Sequence, residues 1–93
     1  MHSNELPKVK FTLTRFREGY DLADVDAFLE RLRDTLSQWE SGRPGVILSA
    51  EVVEKRFAVT KFRNGYDQDQ VDNFLDEATI TLAGYEKNQT PGY

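Results

Sequence analysis

Phe16-Arg17-Glu18-Gly19-Tyr20-Asp21, followed by Val25-Asp26-Ala27-Phe28-Leu29, returns later in the chain as Phe62-Arg63-Asn64-Gly65-Tyr66-Asp67 and Val71-Asp72-Asn73-Phe74-Leu75. The offset is constant: Phe11, Thr14, Thr35, Leu36 and Glu40 recur in the same register as Phe57, Thr60, Thr81, Leu82 and Glu86, and Trp39 is matched by the aromatic Tyr85. A repeat in one register means one supersecondary unit used twice. The breaker run Ser41-Gly42-Arg43-Pro44-Gly45 separates the copies. The reading places a first repeat at 1–41, a linker at 42–48, a second repeat at 49–88 and a flexible tail at 89–93.

Within each copy the local signals are the same. Phe11, Leu13 and Phe16, like Phe57, Val59 and Phe62, place apolar residues at every second or third position, the pattern of an extended segment. A tight turn at Gly19 or Gly65 follows, where glycine permits a positive φ. Asp21 and Asp67 are read as N-caps, accepting a backbone N–H from the first helical turn. The acids behind them suit the helix N-terminal dipole. The second copy opens with Ser49 and a short capped helix over 50–56. The first has Asn4-Glu5-Leu6-Pro7, where that helix is missing or reduced to a turn.

The helical stretch carries apolar residues spaced 3, 4, 3, 4, 3: Leu22, Val25, Leu29, Leu32, Leu36 and Trp39. The second copy answers with Gln68, Val71, Leu75, Ala78, Leu82 and Tyr85. Nearly three heptads fit a coiled-coil seam, and an amphipathic helix packed on its own domain equally well. The expected fold class is therefore mainly α. It consists of two tandem modules of short helix, extended loop and long helix, whose long helices pair in coiled-coil fashion. That pairing is read as an intramolecular pseudo-dimer, an intertwined dimer of two chains, or an antiparallel pair.

Charge narrows the functional classes. The 93 residues carry a net charge of −4, which argues against nucleic-acid binding. The charge is nonetheless segregated. Lys8, Lys10, Arg15 and Arg17 lead the first copy, Lys55, Arg56, Lys61 and Arg63 the second, and the helices behind them are acidic. No apolar run spans a membrane. Met1–Pro7 has neither a basic nor an apolar leader region, so no secretory signal is expected. Cysteine is absent, which removes disulfides and thiolate metal sites and fits a cytoplasmic location. His2 is the single histidine and is expected in a frayed terminus, where it builds no catalytic triad or metal cluster. Asp67, Asp69 and Asp72 lack the spacing, glycine and glutamate of a calcium loop. No catalytic residue, metal or cofactor is expected, and the chain reads as a binding or scaffolding protein.

The repeated string Phe-Arg-x-Gly-Tyr-Asp followed by Val-Asp-x-Phe-Leu resembles the N-terminal domain of the DivIVA family. The stretch from Ser49 to Phe57 is similar to that family's short opening helix. The resemblance implies a parallel coiled-coil dimer with crossed loops at its tip, and a role in organising division sites or growing poles of Gram-positive bacteria. It also implies that an exposed aromatic and a neighbouring basic residue touch the inner face of the cell membrane. Here these would be Phe16 with Arg17, and Phe62 with Arg63. The chemistry is sound, since an aromatic ring sits in the headgroup region while a guanidinium meets anionic lipid. The competing reading packs Phe16 and Phe62 in the core, as phenylalanine usually is. It makes the protein a soluble adaptor with buried loops that binds a protein partner through its acidic helices. Expected partners are thus the chain itself, an anionic membrane surface or a cell-division protein.

Overall fold

The computed structural model describes residues 1–89. A 3-10 helix, Ser3–Lys8, opens the chain. It is followed by β1 (Leu13–Thr14), β2 (Gly19–Tyr20), α1 (Leu22–Glu40), α2 (Ser49–Glu54), β3 (Val59–Thr60), β4 (Gly65–Tyr66) and α3 (Gln68–Gln89). The strands form one antiparallel sheet in the order β1-β4-β2-β3. Past Gln89, the tail expected at 89–93 lies outside the described residues.

This architecture corrects the mainly-α expectation. The extended segments are strands of a four-stranded antiparallel sheet, and the third and fourth partners are supplied by Gly19-Tyr20 and Gly65-Tyr66, which read in sequence as turns. Each two-residue strand pairs with the other copy: Leu13 with Tyr66, Gly19 with Thr60, and Tyr20 with Tyr66 across the centre. Strands this short carry little local signal, and their partners lie far away in sequence.

The expectation of a long coiled-coil pair is also corrected. α1 packs extensively on the opening 3-10 helix and α3 on α2. Each long helix thus packs on a short helix as well as on the shared core, and its buried stripe is wider than an a/d seam. On α1 it takes in Phe28 and Thr35 beside Val25, Leu32 and Leu36. Val71, Leu75, Ala78 and Leu82 are buried on α3. Leu29, Trp39 and Tyr85 are half-buried against the same core, while Leu22, also half-buried, stands outside it. Leu6, Ile47, Val52 and Phe57 complete one continuous cluster. Burying each such aliphatic side chain stabilises the fold by roughly 1.5–3 kcal/mol.

Two segments are more ordered than their composition implies. The N-terminal residues form a helix tied to α1, because the Ser3 backbone N–H and hydroxyl donate to Glu40 at 2.8 and 2.6 Å. The equivalent pair, Ser49 and Glu86, is joined at 2.7 and 2.7 Å, so the repeat extends forward to the short helices. In the expected linker, Ile47 is fully buried and its N–H donates to Thr35 Oγ1 at 3.2 Å.

The copies interlock at the sheet. β1 and β2 both run antiparallel to β4, hence parallel to each other. Residues 15–18 must therefore cross over β4, and by the same argument residues 61–64 cross over β2. The crossing explains the glycines. Neither Gly19 nor Gly65 has a positive φ, contrary to the turn reading. Their constraint is space: a Cβ on Gly19 would lie 2.9 Å from Tyr66 O, and one on Gly65 would lie 2.6 Å from Thr60 Oγ1 and 3.1 Å from Gly19 C.

Gly19→Ala and Gly65→Ala are each expected to lower stability by about 1–3 kcal/mol in a denaturant titration, because the new methyl group meets the buried Thr14 or Thr60 hydroxyl and, behind it, backbone of the opposite copy. Gly84→Ala, in α3 with nothing within 4 Å of its Cβ, is expected to raise stability by about 1 kcal/mol. Tolerance at Gly19 and Gly65 would contradict the crossing.

Candidate functional site

Successive strand residues point to opposite faces of a sheet. Leu13, Tyr20, Val59 and Tyr66 share one face, since they are cross-strand partners. From it the Tyr20 hydroxyl donates to Asp72 of α3 at 2.8 Å and the Tyr66 hydroxyl to Asp26 of α1 at 2.7 Å. The helices therefore lie under this face. Thr14, Gly19, Thr60 and Gly65 point to the other face, where all are buried beneath the crossing loops. The Thr14 and Thr60 hydroxyls donate to Gly65 O and Gly19 O at 3.5 and 3.4 Å.

The loops that cover this outer face carry the exposed aromatics. Phe16 is 80% and Phe62 71% exposed. Neither ring packs in the core. Each has a cation over its face: the Arg15 guanidinium carbon lies 5.9 Å from the Phe16 centroid and Lys61 Nζ 5.3 Å from that of Phe62. Phe62 has φ 66°, a left-handed conformation that costs a residue with a Cβ roughly 1–2 kcal/mol.

Arg17 and Arg63 are held by the opposite copy. Arg17 Nη2 donates to Asp67 Oδ2 at 2.6 Å, and Arg63 Nη2 to Asp21 Oδ1 at 3.3 Å. The same carboxylates cap the helices: Asp21 Oδ2 accepts from Asp24 N and Asp67 Oδ1 from Gln70 N, both at 3.0 Å. One oxygen closes a helix end while the other fixes an arginine of the crossing loop. The sequence reading found the caps and the Phe-Arg pairs but not this link between them. Its signal was the recurrence of polar residues: Thr14/Thr60, Arg17/Arg63 and Asp26/Asp72 repeat although none belongs to an apolar pattern.

The tyrosine–aspartate pairs are electrostatically distinctive. Burial, then the hydrogen bond to Asp72, pushes the Tyr20 hydroxyl up to about 12. At Tyr66 the bond to Asp26 leads and burial follows, with the same result, about 12. At the far end of the helix, the Ser3 hydroxyl and backbone N–H hold Glu40 below the usual carboxylate range. Beside each tyrosine lies an open groove, one with Leu6, Asp26 and Leu29, the other with Val52, Asp72 and Leu75. Among the described residues no cluster of three or more His, Asp or Glu could hold a metal, and no helix is long and apolar enough to cross a membrane.

Compared with protein-family models, curated proteins and solved structures, the chain gives no match.

The raised tyrosines give a pH dependence with a defined sign. The folded state holds these protons more tightly than the unfolded chain. Stability is thus fully present below pH 10 and falls as pH rises from 10 towards about 12. Melting temperatures of Tyr20→Phe/Tyr66→Phe are expected to fall less steeply than wild type across that window. They should also be lower at neutral pH, by roughly 1 kcal/mol of stability per lost hydrogen bond. Parallel curves for the two proteins would contradict the assignment.

Proposed function

We propose that the protein is a non-enzymatic scaffold or adaptor, similar to the DivIVA family, that serves bacterial cell division or polar growth. It attaches peripherally to the anionic inner face of the cell membrane through its crossed loops. The observation that carries this reading is the pairing of two exposed phenylalanines with Arg15, Arg17, Lys61 and Arg63 on the two crossing loops. Aromatic rings favour the headgroup region, and each cation near an anionic surface adds about 1 kcal/mol. The ion pairs with Asp21 and Asp67 leave both arginine side chains 70% exposed, and a guanidinium has five donors to share. The adaptor reading with buried loops finds no support in rings this exposed. Other functional groups of the family, including a cell-division protein partner and self-association, belong to the same proposal.

Co-sedimentation with anionic and neutral vesicles at low and high salt tests it. Binding to anionic vesicles that weakens with salt, and that Phe16→Glu/Phe62→Glu abolishes while the circular dichroism spectrum is unchanged, is the expected result. Equal sedimentation of wild type and variant, or none with any vesicle, would refute membrane attachment.

A further inference from the structure

We propose that the two loops are unequal, and that Lys61-Phe62-Arg63-Asn64 makes the main contact with an anionic bilayer while Arg15-Phe16-Arg17-Glu18 supports it. This rests on the membrane reading above and goes beyond it by assigning the contact to one copy. Such a division runs against the near-identity of the repeats, so it must come from the places where they differ.

The backbone differs first. Phe62 is left-handed, whereas Phe16 is not. Glycine would hold the same backbone without strain, and a ring that is 71% exposed gives the fold no packing in return. A strained residue that the core does not need points to a contact outside the chain. Lys61 lies over the ring at 5.3 Å, as Arg15 does over Phe16 at 5.9 Å, so the strain at Phe62 is not needed for that pairing and is left to an outside contact.

Charge differs next. The second loop has Lys61 and Arg63 beside neutral Asn64, while Glu18 stands against Arg15 and Arg17 in the first. Pairing differs in the same direction. Arg17 is bound to Asp67 at 2.6 Å, but Arg63 reaches Asp21 only at 3.3 Å. Arg63 thus has the longer of the two ion pairs, and its side chain is 70% exposed to meet a lipid phosphate. The occupant is a bilayer surface, because both aromatics stand largely exposed, each beside cations, on an otherwise acidic chain.

The test compares matched neutral truncations of the full chain, Phe16→Gly and Phe62→Gly, on vesicles of mixed phosphatidylglycerol and phosphatidylcholine. Phe62→Gly is expected to weaken binding by roughly tenfold or more and Phe16→Gly by less than about threefold. Phe62→Gly should keep or exceed the wild-type melting temperature, since it relieves strain. Glu18→Asn should tighten binding by about fivefold. Equal losses from the two truncations, or a lower melting temperature for Phe62→Gly, would overturn the asymmetry. Equal losses with a binding wild type sink this assignment alone; a wild type that binds no vesicle sinks the membrane reading and this with it.

Discussion

The close approach of Gly19 to Gly65 is the constraint on which the remaining geometry depends. At the centre of the sheet the two loops pass over each other's strands, and a Cβ on Gly65 would stand 3.1 Å from Gly19 C and from Tyr20 O. With that space open, β2 and β4 pair directly and each copy completes the other's strand pair. Without it the strands separate, and the aromatic contacts that bridge the copies separate with them. Each ring contact among the described residues joins one copy to the other: Phe11 to Tyr66 and Phe74, Phe57 to Tyr20 and Phe28, and Trp39 to Tyr85.

This interlock also builds the candidate site. The helix-capping aspartates stand where the crossing brings the opposite loop's arginine, so capping and loop placement use one carboxylate. The backbone reinforces it: Asp21 N–H donates to Ala58 O at 2.8 Å and Asp67 N–H to Thr12 O at 2.9 Å. The phenylalanines beside those arginines are therefore projected outward from a fixed base. The Trp39–Tyr85 stack, with ring planes 8° apart at 5.5 Å, joins the C-terminal parts of the long helices. Both helices thus lead away from the sheet in the same direction.

The legible parts of the fold were those written in local or periodic signals. Asp21 and Asp67 announced the helix starts, and the apolar spacing placed Val25, Leu32, Leu36, Val71, Ala78 and Leu82 on the buried side. The sheet was not legible, because Gly19-Tyr20 and Gly65-Tyr66 have turn composition and acquire strand geometry only from partners in the other copy. The same non-locality misled the expectation of a coiled-coil pair. Thr35 is buried with its hydroxyl accepting from Ile47 N–H, a contact no heptad pattern encodes. At the site, the sequence identified Phe16, Arg17, Phe62 and Arg63, but their exposure depends on which face of a sheet the loops cover, and that sheet has no local signal in the sequence.

A duplicated module whose halves share strands, caps and rings should have no route to opening one half alone. Native-state hydrogen exchange at the Asp21 and Asp67 amides tests this most directly, since each is held by a carbonyl of the opposite copy. The account predicts that both amides exchange only through global unfolding, with opening free energies that agree with each other and with the denaturant value to within about 0.5 kcal/mol. Exchange of either amide through a local opening several kcal/mol below global unfolding would show that the copies are separable, and would contradict the interlock.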